Sequence, residues 1–179
     1  MNNLKYPIYE EIQGLGKDKG ARWGYCSIDT PFIRHDTRTV HDVVRRIDQG
    51  SLVMALPSER AFIWDDYRQS KLIESVLIGI PLPAFYLADA YSGRMIVVDG
   101  LQRLSTIGRY LKNDLRLNLP KQEELHKKKF DDLSLKFQNR IEDCNLVLYI
   151  VDADIPERYR LDIFERVNDG QRTGRKGMK

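Results

Sequence analysis

The run from Met95 to Ile107, MIVVDGLQRLSTI, passes from an unbroken apolar stretch into a helical period across a single glycine. Ile96, Val97 and Val98 are β-branched and suit a buried strand. Leu101, Leu104, Ile107, Gly108 and Leu111 then recur at intervals of three and four, which predicts a helix running to about Lys112. A strand that feeds directly into an amphipathic helix needs a sheet with helices packed on it, so all-α and all-β architectures are excluded.

The flanking segments extend this pattern. A helix is expected from Asp36 or Thr37, with Val40, Val43, Val44 and Ile47 on one face and its end near Gly50. Residues 51–57 (SLVMALP) read as a short buried strand closed by Pro57, and SERAFIWDD leads into a second helix with Leu72, Ile73, Val76, Leu77 and Ile80 as its apolar face. Pro81 and Pro83 stop that helix. AFYLAD reads as a strand, Tyr91-Ser92-Gly93 as a turn, and RMIVVD as its hairpin partner or neighbour. After a charged loop (PKQEELHKKKFDD) come a helix near 134–142, a buried strand NLVLYIV, and a last helix from Pro156 to about Asn168. Residues 1–36, with Gly14, Gly16, Gly20 and Gly24 among charges, are expected to form a loosely structured arm. Residues 37–170 are expected to form one domain, and 171–179 a flexible basic tail.

Composition narrows the classes. A chain of 179 residues with 42% hydrophobic and 31% charged residues suits one globular domain rather than two. The balance of 29 Lys plus Arg against 26 Asp plus Glu, +3 in all, is too weak for nucleic-acid binding by bulk charge, so any anion site must be local. Cys26 and Cys144 are far apart and form no CxxC pair, which points to a reducing, cytoplasmic setting. No apolar run reaches the roughly 18–20 residues of a membrane span, so no membrane partner is expected.

The strand-to-helix turn is where chemistry is expected. Amides of a first helical turn lack internal partners and attract phosphate. Gly100 lets a ligand approach the backbone, Arg103 can pair with phosphate oxygens in a fork, and Gln102 can hydrogen-bond a base, a sugar or water. Asp99 beside a phosphate would hold Mg²⁺, orient a water or hydroxyl for attack, or meet ribose hydroxyls. The alternative is that Asp99 merely caps the helix while Gln102 and Arg103 lie on a solvated face. Other motifs carry less. GLGKDKG at Gly14–Gly20 fits no phosphate loop, and Lys127–Lys129 is flanked by Glu123, Glu124, Asp131 and Asp132 as a solvated loop would be. Trp64 beside Phe62 and Ile63 suits a core rim better than base stacking. His35, His41 and His126 are scattered, without the spacing of a nuclease metal site.

Several ordered blocks carry a resemblance: Arg60 to Asp65 (RAFIWD), Gln69 to Ser75 (QSKLIES), Pro81-Leu82-Pro83, Asp99 to Thr106 (DGLQRLST) and Phe164 to Asn168 (FERVN). Together, over roughly residues 47–170, the chain resembles the DGQQR-motif proteins typified by the N-terminal domain of GmrSD-type modification-dependent restriction enzymes. That family looks like the ParB and sulfiredoxin fold, which implies an α+β architecture with a small mixed sheet and surrounding helices. Its motif turn binds nucleotide phosphates, and several members hydrolyse nucleoside triphosphates to license cleavage of modified or foreign DNA. The resemblance therefore implies catalytic roles for Asp99 and Gln102, with Mg²⁺ at Asp99. It implies nucleotide contacts from Gly100, Arg103, Ser105 and Thr106, joined by Arg60, Arg166 and Asn168. Leu101 departs from the motif's Gln, removing an amide donor, which bears on hydrolysis more than on phosphate binding. The family often continues into an HNH nuclease domain, so a nuclease supplied by another chain or a protein partner is expected. The reading that results is a nucleotide-binding, NTP-hydrolysing sensor of a DNA-restriction or phage-defence system. Its alternative is a non-catalytic DNA-binding or protein-interaction module.

Overall fold

The structure, a computed structural model, describes residues 33–54, 64–90, 92–153, 155 and 163. The expected arm up to residue 32, Pro57, Arg60, Tyr91, the helix from Pro156, Arg166, Asn168 and the tail at 171–179 lie outside the described residues.

Five strands form one mixed sheet: β1 (Ile33–Thr39), β2 (Leu52–Val53), β3 (Phe85–Asp89), β4 (Met95–Asp99) and β5 (Asn145–Val151), in the order β1-β5-β3-β4-β2. β1 runs antiparallel to β5, β5 parallel to β3, β3 antiparallel to β4, and β4 parallel to β2. Among the described residues, four helical elements accompany it: α1 (Val40–Asp48), α2 (Asp66–Ile78), α3 (Leu101–Leu111) and α4 (Leu135–Glu142). The expected α+β class with a small mixed sheet and helices is what the chain adopts.

Period-two burial sorts the sheet into faces. Leu146, Leu148 and Ile150 of β5, Phe85 and Leu87 of β3, and Met95 and Val97 of β4 point into one core. Onto them pack Val40, Val43 and Val44 of α1, Leu72, Ile73, Val76 and Leu77 of α2, Leu104, Ile107 and Tyr110 of α3, and Ile141 of α4. The irregular segment between α3 and α4 also reaches this core, through Leu115, Leu117, Leu119, Phe130 and Leu133. Leu115, Leu117 and Leu119 alternate into the core just before the stretch read as a charged loop, and Phe130 anchors that loop itself.

Three sequence expectations need correction. Residues 33–36 are not loose: they open β1, which pairs with β5 over seven positions from Ile33↔Val151 to Thr39↔Asn145. The first helix therefore starts at Val40, not at Asp36 or Thr37, and Thr39 caps it by accepting from the Asp42 amide at 3.2 Å. Asp36 instead accepts from the Thr37 amide and Arg38 Nε, both at 2.8 Å. The strand escaped notice because it is a polar edge strand whose partner lies more than a hundred residues on. The second helix ends at Ile78, two residues before Ile80: Gly79, at φ 81°, closes it, and Ile80 is half exposed. Its start is as local signals dictate, with Asp65 accepting from the Arg68 amide at 2.7 Å.

Candidate functional site

The β4–α3 junction is built by a register shift. Leu87 pairs with Val97, but the next pair is Tyr86 with Asp99, so Val98 is an extra residue on β4. Such a bulge re-aims the residue that follows it. It brings Asp99 opposite Tyr86 at the end of the strand.

Gly100 then turns the chain. It is the N-cap of α3 at φ 96° and ψ 7°, a left-handed conformation that glycine adopts freely. A Cβ built there would lie 2.2 Å from Cδ1 of Phe85. The space that a side chain would need is filled by a core ring, so the fold itself requires this glycine. An N-cap glycine offers no side-chain oxygen to the first helical turn. The first i→i−4 bond is made by the Leu104 amide to the Gly100 carbonyl at 2.9 Å.

Arg103 turns inward rather than into solvent. Its Nη1 donates to the Pro83 carbonyl, and its Nη2 donates to the Ala84 carbonyl at 3.1 Å and to Asp99 Oδ2 at 3.0 Å. The guanidinium carbon sits 4.2 Å from the Phe85 ring centroid. Side-chain exposure is 10% for Arg103 and 15% for Asp99, so this is a largely buried ion pair. Burial pulls the Arg103 guanidinium below its ordinary value while Asp99 opposes the shift, and an arginine there stays charged. The reading that put Arg103 on a solvated face is therefore not what the chain does. One guanidinium ties β3, the end of β4 and the first turn of α3 together.

The rest of the motif spreads around the helix. Gln102 is half-buried in the first turn, and its carbonyl accepts from Thr106 Oγ1 at 2.8 Å. Thr106 is fully buried, so its hydroxyl serves the helix rather than the strand end. Ser105 lines a cleft of about 320 Å³ between α1 and α3, with Val44, Ile47, Met54 and Leu104. Asp99, Gly100 and Arg103 are thus brought together, Gln102 follows in the same helical turn, and Ser105 and Thr106 serve other contacts. Arg60, Arg166 and Asn168 lie outside the described residues.

Among the described residues, the other blocks act as supports. Pro81-Leu82-Pro83 delivers the carbonyl that Arg103 grips. Gln69, 1% exposed, donates through Nε2 to the Trp64 carbonyl and accepts at Oε1 from Arg109 Nη1 at 2.8 Å, locking α2 to α3. Ser70 Oγ accepts from the Asn118 amide at 2.7 Å. Trp64 packs partly buried against the core with Arg68 over its ring at 4.6 Å, as a rim residue does. Phe85 and the carbonyls of Pro83 and Ala84 were missed as partners of the motif. The only local signal was Phe85 following the Pro-x-Pro block, and backbone carbonyls leave no trace in a sequence.

Among the described residues no group of three or more His, Cys, Asp or Glu could hold a metal ion. Nor, among those residues, is any helix long and apolar enough to cross a membrane.

A family model described as the GmrSD restriction endonuclease N-terminal domain matches residues 40–173. No curated protein and no solved structure matches the chain.

Proposed function

The chain belongs to the GmrSD restriction endonuclease N-terminal domain family, and we propose that within a restriction system it is the nucleotide-binding sensor, with the β4–α3 turn as its site. One observation carries this reading. The N-cap residue of α3, Gly100, offers no side-chain oxygen of its own, and the helix begins directly beside a buried Asp99–Arg103 pair. Amides so placed favour an anion, and the helix dipole adds to the attraction.

In this proposal the phosphates rest on the amides of the first turn of α3. Arg103 is a positioning residue: it fixes Asp99 and Gly100 relative to β3, and its charge favours the phosphates. Gln102 orients the nucleotide or the attacking water, and Asp99 accepts the proton of that water. Mg²⁺, when bound, would neutralise charge on the phosphate oxygens. Arg60, Arg166 and Asn168 are proposed as further phosphate or DNA contacts, and cleavage is assigned to a nuclease partner.

A non-catalytic module is the rival reading, and it is favoured by Arg103 being spent on carbonyls and by Leu101 in the motif. Calorimetric titration of ATP, GTP, CTP and UTP, with and without Mg²⁺, separates the two. The sensor binds at least one triphosphate in a Mg²⁺-dependent way, and Asp99→Asn keeps binding while losing hydrolysis. If none binds, and duplex DNA binds with a steep salt dependence, the sensor reading is wrong and the module reading replaces it.

A further inference from the structure

The strand register places four side chains on one rung across four strands. His35 of β1 pairs with Tyr149 of β5, Tyr149 with Tyr86 of β3, and Tyr86 with Asp99 of β4. The rings are in contact: Tyr86 and Tyr149 centroids lie 5.3 Å apart at 32°, and His35 and Tyr149 lie 5.7 Å apart at 57°.

The tyrosines of this rung are on the face opposite the helical core, because their neighbours in sequence, Phe85, Leu87, Leu148 and Ile150, are the core residues; Asp99, at the strand end, turns to Arg103 of α3. On the same face the next rung, Ala88 with Ile96 and Val151, is buried. The two tyrosines are only half-buried and His35 is exposed. This aromatic ladder is left partly open and runs sideways from the acidic end of β4.

We infer that Tyr86 and Tyr149 form the platform on which the base of the bound nucleotide stacks. This rests on the nucleotide reading of the β4–α3 turn. Two strand spacings separate Asp99 from Tyr149, about 10 Å, which a ribose with part of the phosphate chain can bridge. Aromatic faces accept any base, so the platform supplies affinity for the nucleoside while selectivity among bases comes from elsewhere. His35 extends the ladder at its outer end.

The test compares the best-binding nucleoside triphosphate with inorganic tripolyphosphate, both titrated into the full chain. Tyr149→Leu weakens nucleoside triphosphate binding about tenfold and leaves tripolyphosphate affinity unchanged. Tyr86→Leu acts in the same direction, and Tyr149→Phe retains wild-type affinity because the ring remains. Unchanged nucleotide affinity in both leucine variants overturns the platform while leaving the nucleotide site standing. Equal losses for nucleotide and tripolyphosphate overturn it too, since a distorted sheet would explain them. Binding of neither probe by the wild type removes the nucleotide site and the platform with it.

Discussion

Gly100 and Phe85 are packed so that no side chain fits between them: a Cβ on residue 100 would lie 2.2 Å from the Phe85 ring. Gly100→Ala must therefore both hold alanine at φ 96° and displace a fully buried ring. The left-handed conformation costs roughly 1–2 kcal/mol, and overpacking a further 1–3 kcal/mol or so. Urea denaturation should show a loss of roughly 2–5 kcal/mol. Combined with Phe85→Leu, the loss should be smaller than the sum of the two single changes. An alanine variant as stable as wild type would mean that the ring does not hold this turn.

The Asp99–Arg103 pair is predicted to be structural as well as chemical. Asp99→Ala leaves a guanidinium of 10% exposure with two carbonyl acceptors but without its counter-charge. Stability should fall by roughly 2–4 kcal/mol, near the range for breaking a buried pair. Asp99→Asn retains an acceptor oxygen and should fall by less. Equal and negligible losses at pH 7 would show that Arg103 needs only the carbonyls of Pro83 and Ala84.

Gln69 separates support of the fold from chemistry at the turn. Gln69→Leu removes the acceptor of Arg109 and the donor to Trp64 in a position 1% exposed. A cost of about 1–3 kcal/mol is expected from the polar groups left unmatched. Nucleotide affinity measured well below the melting temperature should stay within about twofold of wild type, because a change under 0.5 kcal/mol or so is typical of distant sites. A selective loss of affinity in a stably folded variant would place Gln69 in the site.

Acid should act through Asp42. Hydrogen bonds from Arg45, Arg46 and Arg38 hold its carboxyl well below the usual carboxylate range, against burial that pushes the other way. A depressed folded-state pKa means that this contribution is complete above the unfolded value of about 3.9 and is lost as pH falls below it. Asp42→Asn should cost about 1 kcal/mol at pH 7, as partly exposed pairs do, and should flatten the fall in stability below about pH 4. Parallel acid profiles for variant and wild type would show that the three arginines do not perturb Asp42.

What the sequence determined by itself is what local physics encodes. The helical period of Val40, Val43, Val44 and Ile47, the Asp65 cap, the apolar run of β5 and the strand–glycine–helix junction at Asp99–Leu101 are all decided by neighbours a few residues apart. The position of the candidate site was legible for the same reason. Tertiary structure decided what depends on distant partners. β1 exists because residues 145–151 pair with it, and its own polar sequence gives no period that would reveal it. Arg103 is buried because Pro83, Ala84 and Phe85, some twenty residues earlier, come to lie under the first turn of α3. The aromatic rung exists because β3 and β5 run parallel while a bulge shifts Asp99 into line with Tyr86. A long-range register is a sum of many weak side-chain preferences, so it is fixed only when the whole sheet closes on its core.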